Sequence, residues 1–156
     1  MLTSLLIRFA WSGEMLGVGL FDQLAHEFPA LGDDFRTMRR MEEVNVAMWL
    51  PLAVAHGISP ADRQPRWEAR GRAIGMAIGR LGLPSLLIPA AYGIPVVLVS
   101  YRLLQALLPD HEAIYTLTYQ EHERAIQDWA QRIRRQQPHA IESVTSYLEL
   151  HTPGPD

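Results

Sequence analysis

The chain has 156 residues and no cysteine, which excludes a disulfide scaffold, an iron–sulfur cluster and a thiolate zinc site and leaves Glu, Asp, His and Asn as metal ligands. It also lacks lysine, since all fourteen basic residues are arginine. A formal net charge of −3 speaks against general nucleic-acid binding. The arginines gather at Arg36, Arg39 and Arg40, at Arg63, Arg66, Arg70 and Arg72, and at Arg132, Arg134 and Arg135. These groups read mostly as solvated helix faces, with a basic rim against anionic lipid headgroups as the functional alternative. A long unbroken apolar helix is missing too. The most apolar stretch, Leu83 to Leu108, is interrupted by Pro84, Pro89, Gly93 and Pro95, so it reads as a buried helix or a monotopic membrane element rather than a span. The N-terminal MLTSLLIRFAW lacks a basic start and a small-residue cleavage site, and is expected to belong to the mature protein. Internal repeats and low-complexity tracts are absent.

What remains is a composition that folds: 48% hydrophobic and 20% charged residues, enough for one core in one domain over 1–156, with 137–156 a short helix and a Pro/Gly tail. The spacing predicts a first helix over about 4–26, carrying Leu5, Phe9, Leu16, Leu20 and Leu24 and ending before Pro29 and Gly32. A second begins after Asp33 and Asp34, acidic residues suited to a helix N-terminus, carries Met38, Met41, Met48 and Trp49, and meets a kink at Pro51 and an end at Gly57 to Pro60. The polar, proline-bearing run from Pro60 to Arg70 reads as a loop. Gly71, Gly75 and Gly79 then leave one helix face bare, so that another backbone can approach it closely. A last long helix is predicted over about 111–136, stopped by Pro138. The pattern is all-α.

Glutamates recur on the apolar patterns: Glu14 on the first helix, Glu42 on the second and Glu121 on the last long one. A carboxylate turned toward a helical core costs several kcal/mol unless it is paired, protonated or bound to a metal, so three of them point to a shared site. The plain reading of Glu14 is an exposed side chain on the short polar break Ser12-Gly13, and the functional reading is a metal ligand with small Gly17 beside it. Consecutive helical residues point about 100° apart, so only one of Glu42 and Glu43 faces inward, and Glu42 lies on the methionine face. At most one of Glu121 and Glu123 faces the core. Glu121 is placed with Leu117 and Ala125, and His122 between them reads as solvated. His26, His56, His111 and His139 each sit near a break and read as caps or surface residues. A carboxylate-bridged di-iron bundle needs Glu-x-x-His pairs as well. None of the ten glutamates is followed three residues later by histidine, and Asn45, a weaker oxygen ligand or a core amide, stands where the first such histidine belongs.

The arrangement resembles the alternative oxidase family. Tyr119-Gln120-Glu121-His122-Glu123 follows in part the family's Tyr-Leu-Glu-Glu-Glu-Ala segment, and Pro138, Ala140-Ile141, Tyr147, Leu150 and Pro153 keep the order of the stretch that comes after it. Arg8-Phe9 and Glu14 are similar to the start of its first ligand helix. The first two helices also resemble the demethoxyubiquinone hydroxylases, through Ser12-Gly13-Glu14 with Gly19 and Phe21, and through Met38, Glu42, Asn45 and Trp49. The resemblance implies a ferritin-like helical bundle, a di-iron centre to which Glu14, Glu42 and Glu121 would carry over with Asn45 in a histidine's place, and a quinol oxidised with reduction of O₂ to water. It further implies Tyr119 and Trp129 as redox side chains near Glu121, and peripheral or monotopic attachment to a membrane. Alternative oxidases continue into a final Glu-x-x-His helix where this sequence reaches Asp156, so at most three of the family's six ligands are expected and the centre is expected to be incomplete. Quinol, the membrane surface, and either a second copy or a membrane complex are the implied partners, with no nucleic acid. The competing readings are a non-catalytic, membrane-associated helical subunit or adaptor, favoured by Gly71, Gly75, Gly79 and the Leu83–Leu108 stretch, and a helical bundle of unrelated function.

Overall fold

A computed structural model describes residues 2–59 and 63–152. They form α1 (Leu2–Glu27), a 3-10 turn at Pro29–Leu31, α2 (Gly32–Ala55), α3 (Gln64–Leu81), α4 (Pro84–Tyr92), α5 (Ile94–Leu107), α6 (Ala113–Arg134) and α7 (Glu142–His151). No strand occurs among the described residues. The all-α expectation holds at that level.

Prolines sit at the starts of three of the seven described α-helices. Pro84 and Pro95 occupy first-turn positions of α4 and α5, where the missing N–H has no intrahelical partner to lose. Pro65 does the same for α3, whose first turn therefore begins at Gln64, inside the run expected to be loop. Helix α2 passes through Pro51 without a break and starts one residue ahead of Asp33 and Asp34, which lie in its first turn. Gly82, at φ +90°, closes α3 in a conformation that glycine adopts without strain. Pro60 and the Pro/Gly tail from Pro153 lie outside the described residues.

The expected glycine face is an interhelical contact. A Cβ at Gly71 would lie 2.0 Å from the carbonyl oxygen of Leu16, and one at Gly19 would lie 2.0 Å from that of Glu68. Glycines on both α1 and α3 thus let the two backbones meet, with Gly75 continuing the contact against Gln23 and Gly79 against Glu27.

Helices α1 and α2 run antiparallel, bringing Trp11 to Val46 and Phe21 to Phe35. Helix α6 lies against both, with Tyr119 reaching Ala10, and Trp129 reaching Asp34 and Phe35. Two apolar clusters result. One holds Phe21, Leu24, Phe35, Met38, Met41, Ala125, Trp129 and Val144; the other holds Ile7, Trp11, Trp49, Leu52, Tyr101, Leu104 and Tyr119. Between them on each long helix sits a polar residue: Glu14 on α1, Glu42 and Asn45 on α2, and His122 on α6. The fold thereby builds a polar layer across an otherwise apolar bundle. The Leu83–Leu108 stretch is split at Gly93 into α4 and α5, and no single described helix is long and apolar enough to cross a bilayer.

Candidate metal centre

Glu14, Glu42 and His122 are the group of three acidic or imidazole side chains that the described residues bring together. They are 1%, 3% and 2% exposed. One donor atom from each lies within 4.8 Å of the others, while donors about 2.1 Å from a common ion stand at most about 4 Å apart. Closure of about 1 Å, shared among the three side chains, brings such a set to bonding distance, and the group could hold a metal ion.

Helix phase explains who meets whom. Tyr119, His122 and Trp129 recur at intervals of three and seven residues along the buried side of α6. Glu42, at one-turn intervals from Met38 and Asn45, points from α2 into the same layer. Gly17, three residues after Glu14 on α1, makes the space: a Cβ there would lie 2.5 Å from the Glu42 carboxyl carbon. His122 Nε2 sits 3.2 Å from Glu42 Oε1, and its Nδ1 is 3.9 Å from Glu14 Oε1. Glu14 Oε2, Glu42 Oε2 and His122 Nδ1 are buried with no hydrogen-bond partner among the described residues. An orphaned polar atom on each of three neighbouring buried side chains is costly in an apolar core, and a cation held among them would offset that cost.

The electrostatics agree. Burial, reinforced by the neighbouring Glu42, pushes the Glu14 carboxyl well above its ordinary value. Burial pushes Glu42 up to about 8. Without a cation the pair resists carrying two negative charges, whereas a bound ion removes that penalty.

Several expected residues take other positions. Glu121, expected as a metal ligand, is exposed on α6, and its Oε2 pairs with His151 Nε2 at 3.1 Å. Of the two residues placed with it, Leu117 is exposed and Ala125 buried, so Glu121 lies at the edge of the inner face and not within it. His122, expected to be solvated, takes the inward position. Its phase with Tyr119 and Trp129 was the available signal. Trp129 is buried in the other cluster, where its Nε1 donates to Asp34 Oδ2 at 2.8 Å and its ring packs on Phe35; it is not beside the site. Tyr119 is beside it, with its ring 5.5 Å from that of His122 and its hydroxyl donating to Ala10 O at 2.9 Å. Asn45 is buried next to Glu42, but its Oδ1 accepts a 2.5 Å hydrogen bond from the Tyr147 hydroxyl. As expected, Glu43 points outward, paired with Arg39.

The triad opens into a cavity of about 640 Å³. Glu14, Glu42, Tyr119 and His122 form its inner wall. Leu20, Leu86, Ile94 and Val97 are among its sides, and the exposed Phe9, Ile74 and Leu81 lie at its mouth. Glu123, half-buried, also faces it, and burial raises its carboxyl to about 7. Tyr101 packs tilted against Tyr119, with ring centroids 4.1 Å apart, and burial holds its phenol well above the ordinary range. The chamber is thus apolar with an acidic, tyrosine-bearing inner end, suited to an apolar ligand that presents a hydroxyl or carbonyl there.

No family model matches this chain, nor does any curated protein or solved structure.

Proposed function

We propose that the chain is a membrane-surface metalloprotein that binds one transition-metal ion at Glu14, Glu42 and His122 and oxidises a quinol-type substrate held in the adjoining cavity. The observation that carries this reading is the convergence of three buried donors with unpartnered atoms at the inner end of an apolar chamber. Two carboxylates and one imidazole make a hard, mixed O/N set that suits Fe(II). Three donors serve one ion with open positions; they fall short of the six ligands expected of a di-iron pair.

Iron, when bound, supplies oxygen binding and electron transfer. The protein's own residues hold the substrate and manage protons. The apolar walls exclude water and take up a hydrocarbon ring and tail. Glu123, at about 7, accepts a proton from a substrate hydroxyl near neutral pH, and Tyr119 and Tyr101 line the same end. Two quinols release four electrons and four protons, which balance the reduction of one O₂ to two waters.

Membrane attachment is supported by exposed apolar residues along α4 and α5: Ile88, Tyr92, Val96, Val99, Leu103 and Leu107. Their three- and four-residue spacing puts Ile88 and Tyr92 on one face of α4 and Val96, Val99, Leu103 and Leu107 on one face of α5. These faces also favour a second reading, a non-catalytic helical subunit that packs them on a membrane complex or a second copy. An oxygen electrode separates the two. The iron-loaded protein is expected to consume O₂ with a short-chain quinol, and Glu42→Gln and His122→Ala are expected to abolish this consumption. No consumption by iron-loaded wild type would remove the oxidase reading and leave the subunit.

A further inference from the structure

Asn45 lies one helical turn beyond Glu42 on α2 and is 1% exposed. Positions i and i+3 share a helix face, so Asn45 stands where a fourth ligand from the protein would come from. A side-chain amide can ligate only through its oxygen, because its nitrogen is a donor of hydrogen bonds and not of an electron pair. That oxygen is engaged: the Tyr147 hydroxyl donates to Asn45 Oδ1 at 2.5 Å. Asn45 Nδ2 is buried with no partner among the described residues. Tyr147 arrives from α7, itself buried, with its ring 6.0 Å from that of His122.

We propose that Tyr147 is a positioning residue that holds the Asn45 oxygen out of the metal's coordination sphere. This rests on the metal-binding reading above. The consequence is a site with three protein donors and positions left open to an exogenous ligand, which is what distinguishes a reactive metal site from a closed structural one. Without the phenol hydroxyl, the Asn45 oxygen is a buried acceptor with nothing to accept from, and turning to the ion satisfies it.

Cobalt(II) serves as the probe, with visible absorption reporting coordination and azide as the exogenous ligand. The full chain is titrated as wild type, Tyr147→Phe, Asn45→Ala and the double variant. Tyr147→Phe is expected to bind cobalt about ten-fold tighter, the scale of outer-shell effects on metal affinity, to shift the visible bands, and to lose the spectral response to azide. In the Asn45→Ala background the same change is expected to do none of this. Asn45→Asp is a separate route to the fourth ligand, since its second oxygen is free with Tyr147 in place; it too is expected to shift the bands and abolish the azide response. Unchanged or weaker cobalt binding in Tyr147→Phe, an effect that persists without Asn45, or an azide response retained in Asn45→Asp overturns the inference. Wild type that takes up no cobalt overturns the metal-binding reading itself, and this inference with it. Wild type that binds cobalt while any one of those three results appears overturns the inference alone.

Discussion

At the scale of single residues, the site depends on an absent methyl group and on one turn of helix phase. Gly17 leaves the volume that the Glu42 carboxyl fills. Gly17→Ala is expected to displace that carboxyl, to cost about 1–3 kcal/mol of stability as other overpacked sites do, and to lower metal affinity at least roughly ten-fold; thermal melts and metal titration check both parts. Glu42 also makes the metal-free protein sensitive to pH. Its carboxyl titrates at its ordinary value of about 4.5 when unfolded and at about 8 when folded, so between these values the folded state binds more protons and stability falls as pH rises. Metal binding needs the deprotonated carboxylate and has the opposite dependence. The melting temperature of the metal-free protein is therefore expected to drop from about pH 5 to about pH 8, and added metal is expected to offset that drop most at the upper end; scanning calorimetry with and without metal measures it. Glu14 and Glu42 were legible in the sequence because each interrupts an apolar helical pattern. His122 was not, because the glutamates on either side of it made the segment look solvent-facing. Its register with Tyr119 and Trp129 outweighs that local polarity.

At the scale of helices, the bundle is held where glycine lets backbone meet backbone. The four-residue glycine spacing on α3 was readable in advance, but its partner was not, since pairing α3 with α1 depends on Gly19 facing Glu68 across the contact. A side chain at Gly71 meets the Leu16 carbonyl, which cannot rotate away as a flexible side chain can. Gly71→Val is expected to cost about 3 kcal/mol, or roughly 6–12 °C in Tm for a domain of this size. The apolar stretch was likewise legible as broken, through its prolines and Gly93. Its division into two helices, each with exposed apolar residues, follows from Pro95 starting α5 afresh. Pro51 and Pro65 show the limit of such reasoning: Pro65 opens a helix, where a first-turn position has no hydrogen bond to lose, and Pro51 sits exposed within a continuous helix, where the missing N–H costs one bond without ending it.

At the scale of the whole molecule, the cavity mouth and the outer faces of α4 and α5 both expose apolar residues, while the triad lies between two separate apolar clusters. If the outer face of α5 meets a bilayer, replacing Val96 and Val99 with arginine is expected to abolish flotation with phosphatidylcholine/phosphatidylglycerol vesicles and to leave metal content unchanged. Retained flotation would place the contact elsewhere. None of this assembly could be read from the sequence, since the six helices that line the chamber, α1 to α6, are brought together only by tertiary packing. The most direct test is the metal content of purified, iron-reconstituted protein, compared across wild type, Glu42→Gln, His122→Ala and Glu121→Ala by elemental analysis. One ion per chain is expected in wild type and Glu121→Ala, with loss in the other two; wild type that holds no metal, or metal that survives both Glu42→Gln and His122→Ala, would contradict a centre at Glu14, Glu42 and His122.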